Sequence, residues 1–197
     1  MKRTNIGYDF GAWSERLVKD DVYKNYDNFI FANSSIVGPF LSTDFKGRWT
    51  DIYINGLKDN VKLFGSTINA TGDSRGAQHS PTIAAHIQSY IFSADRETVE
   101  YLMKCKIFDN TKHLTGFRDT IEQKEVLMSR KIIENGWNIG CLMKYYDGVD
   151  FTFKNKSPSD YARPFIGDIM WPESYGRLWN EYELVFIKGN RINVSIK

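Results

Sequence analysis

The chain has 197 residues, 42% of them hydrophobic, enough for one domain that buries roughly 70% of the surface its unfolded form exposes. Its 26 Lys and Arg against 24 Asp and Glu leave a net charge of +2, and with no run of like charge neither a nucleic-acid nor a membrane-surface partner is expected. Cys105 and Cys141 lie far apart and imply no disulfide framework, and no stretch reaches the ~20 apolar residues of a membrane span or reads as a signal peptide, so a cytoplasmic, soluble protein is expected.

In chain order, Trp13, Leu17 and Val22 recur at near-helical spacing and predict a helix over 13–24, with Ser14 as a possible cap. Asn28-Phe-Ile-Phe-Ala32 is a continuous apolar run that empties into Asn33-Ser34-Ser35 and Gly38-Pro39. That is the pattern of a buried parallel strand ending in a loop, where α/β folds place their sites. Val61–Ile68 predicts a second strand, followed by a polar, Gly-containing loop over 69–79. Ile87–Ser93 is a third strand, and Asp95 or Ser93 caps a helix over 96–104. Ile121–Asn135 reads as a longer helix stopped by Gly136, and Trp137–Tyr145 returns as a strand. Alternating helices and apolar strands predict an α/β sandwich around a mainly parallel sheet, with residues 1–197 as one domain. A less regular, aromatic segment is expected from about 155 to 197. Aromatic residues make up 15% of the chain, which fills a core and leaves room for stacking surfaces.

Four short motifs follow one another: Asn5-Ile-Gly-Tyr-Asp-Phe-Gly-Ala-Trp13, Asn33-Ser-Ser-Ile-Val-Gly-Pro39, His86-Ile-Gln-Ser-Tyr90, and Glu125 followed by Ser129-Arg130. In that order they resemble the rhamnan-synthesis and related polysaccharide glycosyltransferases, GT-A folds akin to the large inverting family 2. The resemblance spans about residues 5–150 and implies a GT-A-like (nucleotide-diphospho-sugar transferase) sandwich. It shows the acceptor-side half more clearly than the donor-side half. The chain begins close to the first motif, so a truncated or minimal member is expected.

The resemblance assigns Asn5, Gly7 and Asp9 to the nucleotide-sugar donor, together with Asn33, Ser34 and Ser35. The last three occupy the place of the acidic Asp-x-Asp signature that holds a divalent metal in such enzymes. Hydroxyls and an amide are poor sole ligands for Mg²⁺ or Mn²⁺, so no metal-binding residue is assigned and either cation remains an open cofactor. His86 and Gln88 would face the acceptor glycan, and Trp171, Tyr175 and Trp179 would stack on sugar rings. His79 and His113 complete the histidines, at spacings that form no zinc site.

The family's acidic pair, opening a helix before Leu-Ser-x-Arg, falls on Lys124 and Glu125, with Glu122 a competing acid one turn earlier. An inverting transfer needs one carboxylate to deprotonate the acceptor hydroxyl, and Glu125 or Glu122 would be that base. Read from periodicity alone, Glu122, Glu125 and Lys131 equally describe the solvated face of an amphipathic helix. For the charge of the leaving diphosphate, Arg75, Arg96, Lys188 and Arg191 are available. The expected function is a glycosyltransferase moving a sugar from a nucleoside diphosphate to a glycan hydroxyl. The alternative is a non-catalytic glycan- or partner-binding module, and a hydrolase is disfavoured for want of an acid pair.

Overall fold

A computed structural model describes residues 6–71, 80–111, 114–167 and 179–190. Its centre is a four-stranded sheet in the order β1-β6-β3-β7, built from β1 (Asn28–Ala32), β3 (Val61–Gly65), β6 (Ile91–Asp95) and β7 (Asn138–Cys141). Two short two-stranded ribbons flank it: β2 (Ile36–Val37) with β8 (Ile187–Lys188), and β4 (Ile68–Asn69) with β5 (His86–Ile87). The sheet is mixed. β6 runs antiparallel to both β1 and β3, and only β3 and β7 are parallel, so the α/β class holds and the mainly parallel sheet does not. The Phe29-Ile30-Phe31 run is no central parallel strand either; β1 is an edge strand in which Phe31 alone is fully buried.

Aromatic packing explains why that edge is so apolar. Phe31 stands opposite Phe92 in the β1–β6 register, the rings stack at 4.7 Å, and Phe108 stacks on Phe31 at 5.1 Å. Trp13, from helix α1 (Tyr8–Val18), meets Phe31 and Phe92 edge-on. Helix α1 buries Phe10, Ser14 and Leu17, a stripe at spacings of four and three that faces the core. It begins five residues before the expected start, and Ser14 is no cap: its hydroxyl is buried in mid-helix and accepts the Asp109 N–H at 3.0 Å. A 3₁₀ segment, Lys19–Asn25, continues the chain. On the other face of β6, Ser93 donates to the carbonyl of Tyr53 at 2.8 Å, which fastens helix α2 (Trp49–Asn55) to the sheet.

The expected third strand breaks in two, because Gln88 N–H bonds to Thr67 O at 3.3 Å and the chain turns before β6. A one-turn helix α3 (Pro81–Ala84) precedes β5. Helix α4 (Arg96–Lys104) starts as expected at Asp95, whose carboxylate accepts the Thr98 N–H at 2.8 Å. The long helix begins earlier than periodicity suggested, as α5 (Phe117–Thr120), widens into a π turn over Ile121–Val126, and resumes as α6 (Leu127–Glu134). Gly136 follows at φ 81°, the left-handed conformation that ends helices. Helix α7 (Glu181–Leu184) leads into β8. That ribbon returns the chain to the loop after β1: Phe40 N–H bonds to Val185 O at 2.7 Å and Gly189 N–H to Ser35 O at 2.9 Å. At Gly38 (φ 144°), a Cβ would stand 2.5 Å from Val185 O, so only glycine fits the crossing. Among the described residues no helix is long and apolar enough to cross a membrane.

Candidate functional site

At the carboxyl end of β1 the polar loop is built on its own side chains. Asn33 Oδ1 accepts both the backbone N–H and the hydroxyl of Ser35, at 2.9 and 2.7 Å, the local capture by which Asn favours turns. Asn33 Nδ2 donates to Asp9 Oδ2 at 3.1 Å, drawing the first turn of α1 against the loop. Ser34 is left exposed. Gly7 is the N-cap of α1, and Asn5 lies outside the described residues. Asp9 and Asn33, both assigned to the donor by the resemblance, are thus hydrogen-bonded to each other, and the Asn33 amide is spent on the loop itself.

That loop reaches the second half of the site through the backbone, since Asn33 N–H bonds to Tyr90 O at 3.1 Å. The next residue back, Ser89, donates its backbone N–H at 3.1 Å, and its hydroxyl as well, to Glu125 Oε2. Glu125 Oε1 lies 3.7 Å from His86 Nε2. His86 is buried, and its Nδ1 sits 2.6 Å from the Ala84 carbonyl. A carbonyl only accepts, so Nδ1 carries a proton and Nε2 is the nitrogen turned to Glu125. Gln88 is also buried, its side-chain oxygen accepting from Thr67 Oγ1 at 2.8 Å. One turn beyond Glu125, the buried Ser129 hydroxyl accepts the Ile87 N–H at 3.0 Å.

The two acids part company. The Glu125 side chain is 18% exposed, while that of Glu122 is 66% exposed with Arg118 at 3.8 Å. In an α-helix residues three apart share a face; the π turn holds more residues per hydrogen-bonded ring and separates them. The solvated-face reading thus holds for Glu122 and fails for Glu125. Lys124, on the family's first acidic position, points elsewhere. Its Nζ donates to the carbonyls of Lys106 and Ile107 at 2.6 and 2.8 Å, in a recess shared with Gly7 and Asp109. Desolvation holds this amine below its usual range.

Three other expectations change. Trp179 is 4% exposed, a core residue with no face for a sugar, while Trp171 and Tyr175 lie outside the described residues. Arg96 pairs with Asp27 and donates to Tyr26 O at 2.8 Å, at the opposite end of the β1–β6 pair from Asn33, so it is not placed to meet a diphosphate there. Lys188 is near: it stands opposite Ile36, next to the Gly189–Ser35 bond. Arg75 and Arg191 lie outside the described residues. Sequence reasoning missed Ser89 and Thr67; Ser89 sat inside a motif already singled out, but nothing local told which of its residues turn toward the helix.

Among the described residues no group of three or more His, Cys, Asp or Glu side chains gathers as a cation site. Among the described residues Asp9 is the one carboxylate hydrogen-bonded to the Asn33 loop, and a single anionic side chain is fewer than a protein-held Mg²⁺, Mn²⁺ or Ca²⁺ site supplies.

No curated protein and no solved structure matches the chain significantly. A family model described as rhamnan synthesis protein F matches residues 1–167, which takes in every motif and every side chain of the site just described except Lys188. The chain belongs to the rhamnan synthesis protein F family.

Proposed function

We propose that this chain is a glycosyltransferase domain with a GT-A-like fold, moving rhamnose from a nucleoside diphosphate donor to a hydroxyl of a growing rhamnan with inversion. The family's name supports the polymer and hence the sugar. Support for the base comes from one observation: Glu125 is drawn inward against Ser89 and His86, beside the polar loop after β1, while Glu122 stays in solvent. In the reaction the acceptor oxygen bonds to the anomeric carbon as the bond to the diphosphate breaks. The hydroxyl proton goes to Glu125.

Glu125→Gln keeps size and hydrogen bonding but removes the proton acceptor. It should lower kcat by about 10²- to 10⁴-fold with donor affinity intact. Transfer from a panel of nucleoside diphosphate rhamnoses to a rhamnose disaccharide measures it. Normal turnover by Glu125→Gln with a dead Glu122→Gln would move the base one turn; normal turnover by both would end the proposal. A second reading, a module that holds rhamnan without transfer, draws on the internally satisfied Asn33 amide. It expects oligosaccharide binding that neither substitution changes.

A further inference from the structure

Glutamate carries three rotatable bonds, and ordering its side chain has an entropic cost. A base must nevertheless present one lone pair along one line to the hydroxyl. Here the two carboxylate oxygens are not equivalent. Oε2 receives two donors from Ser89, the backbone N–H and the hydroxyl. Among the described residues no hydrogen bond reaches Oε1, and His86 Nε2 lies beyond bonding distance at 3.7 Å.

Ser89 is itself held on both sides. The preceding Gln88 is tied to Thr67 through backbone and side chain, and the following Tyr90 carbonyl accepts from Asn33. Below it, Ser129 takes the Ile87 N–H. Two rungs therefore join the helix to the segment that runs from β5 into the turn before β6, Ser129 to Ile87 and, one turn earlier on the helix, Glu125 to Ser89, and the carboxylate is the upper one.

We infer that Ser89 is the positioning residue of this site: by fixing Oε2 from two donors it leaves Oε1, beside His86, as the one oxygen of Glu125 that takes the acceptor proton. This rests on Glu125 being the base. The Ser89 hydroxyl acts through Glu125, to which it donates.

The test uses the full chain. With the same nucleoside diphosphate rhamnoses and rhamnose disaccharide, Ser89→Ala should lower kcat about ten- to hundredfold, the worth of one hydrogen bond to a charged group, with donor KM changed less than about twofold. Ser89→Thr, which keeps the hydroxyl, should recover most of the loss. Adding Ser89→Ala to Glu125→Gln should cost almost nothing more, because the two act as a unit. Wild-type turnover by Ser89→Ala beside a dead Glu125→Gln overturns the inference and leaves the base standing, as does full multiplication of the two losses. A fully active Glu125→Gln removes both. Amide exchange gives an arm independent of activity: Glu125→Ala should speed exchange at Ser89 at least about tenfold while Ile87, held by Ser129, is unchanged. Equal Ser89 exchange rates in the two proteins overturn the clamp.

Discussion

Ser129→Ala removes the lower rung. Ser129 and Ile87 are both fully buried, and the Ser129 hydroxyl is the acceptor for the Ile87 N–H at 3.0 Å. Alanine leaves a void too small to admit water freely, so the N–H loses its partner without regaining solvent. An unpaired buried donor costs about 1–3 kcal/mol, and the missing oxygen adds little cavity. With a urea slope of about 2 kcal/mol per M for a chain of this size, a loss of 2 kcal/mol moves the unfolding midpoint down by about 1 M with the slope unchanged. Equilibrium urea denaturation followed by tryptophan fluorescence reads this directly. Turnover should fall too, since Glu125 stands one turn upstream on the same helix. A midpoint within about 0.2 M of wild type would refute the reasoning, because it would mean that the Ile87 N–H has another partner or that the helix shifts to supply one.

At Asp95, burial alone would raise the carboxyl, but hydrogen bonds from Lys62 and Thr98 outweigh it and hold it below the usual range. The stability it lends is full above the unfolded-state value, about pH 4, and is lost as pH falls through the lower folded value. Asp95→Asn, which keeps the helix cap but not the charge, should flatten the acid limb of an unfolding-versus-pH curve; an unchanged limb sinks this assignment. Chelation is expected to cost little activity, because among the described residues the loop after β1 has only Asp9 to offer a cation. Complete loss in EDTA, restored by Mn²⁺, would show carboxylates arriving from elsewhere in the chain.

How much of this was legible follows from the kind of signal each feature gives. The apolar runs located β1 and β6, and Asp95 before Arg96-Glu97-Thr98 announced a cap that the structure contains. Strand direction was not legible. Phe29-Ile30-Phe31 looks like a strand buried on both faces, yet it is an edge strand whose Phe31 is covered by Phe92, Phe108 and Trp13. Those rings come from distant parts of the chain. The π turn was equally hidden, since hydrophobic periodicity assumes one pitch and the difference between Glu122 and Glu125 lies in a local change of it. Trp179 shows the same limit: an aromatic cluster reads alike whether it faces a sugar or the core. The resemblance did single out the acid that is drawn inward, because the order of motifs carries spatial information that spacing within one helix lacks.

In the proposed transfer a leaving diphosphate needs a cation, and here the fold narrows the choice most. Arg96 is committed to Asp27 at the far end of the sheet, and Lys124 to two backbone carbonyls. Lys188 remains among the described candidates, held by the β2–β8 ribbon opposite Ile36 and one residue before the Gly189–Ser35 bond. Charge gained in the transition state by the departing phosphate strengthens such a contact. Lys188→Ala should therefore lower kcat/KM by about ten- to hundredfold, more through kcat than through donor KM. The backbone bond from Gly189 that holds the loop is untouched by this change, so unfolding should be close to wild type. Lys188→Arg, which keeps the charge, should recover most of the rate. If Lys188→Ala transfers normally at low and high salt alike, Lys188 is not the group that meets the diphosphate, and the search moves to Arg75 and Arg191.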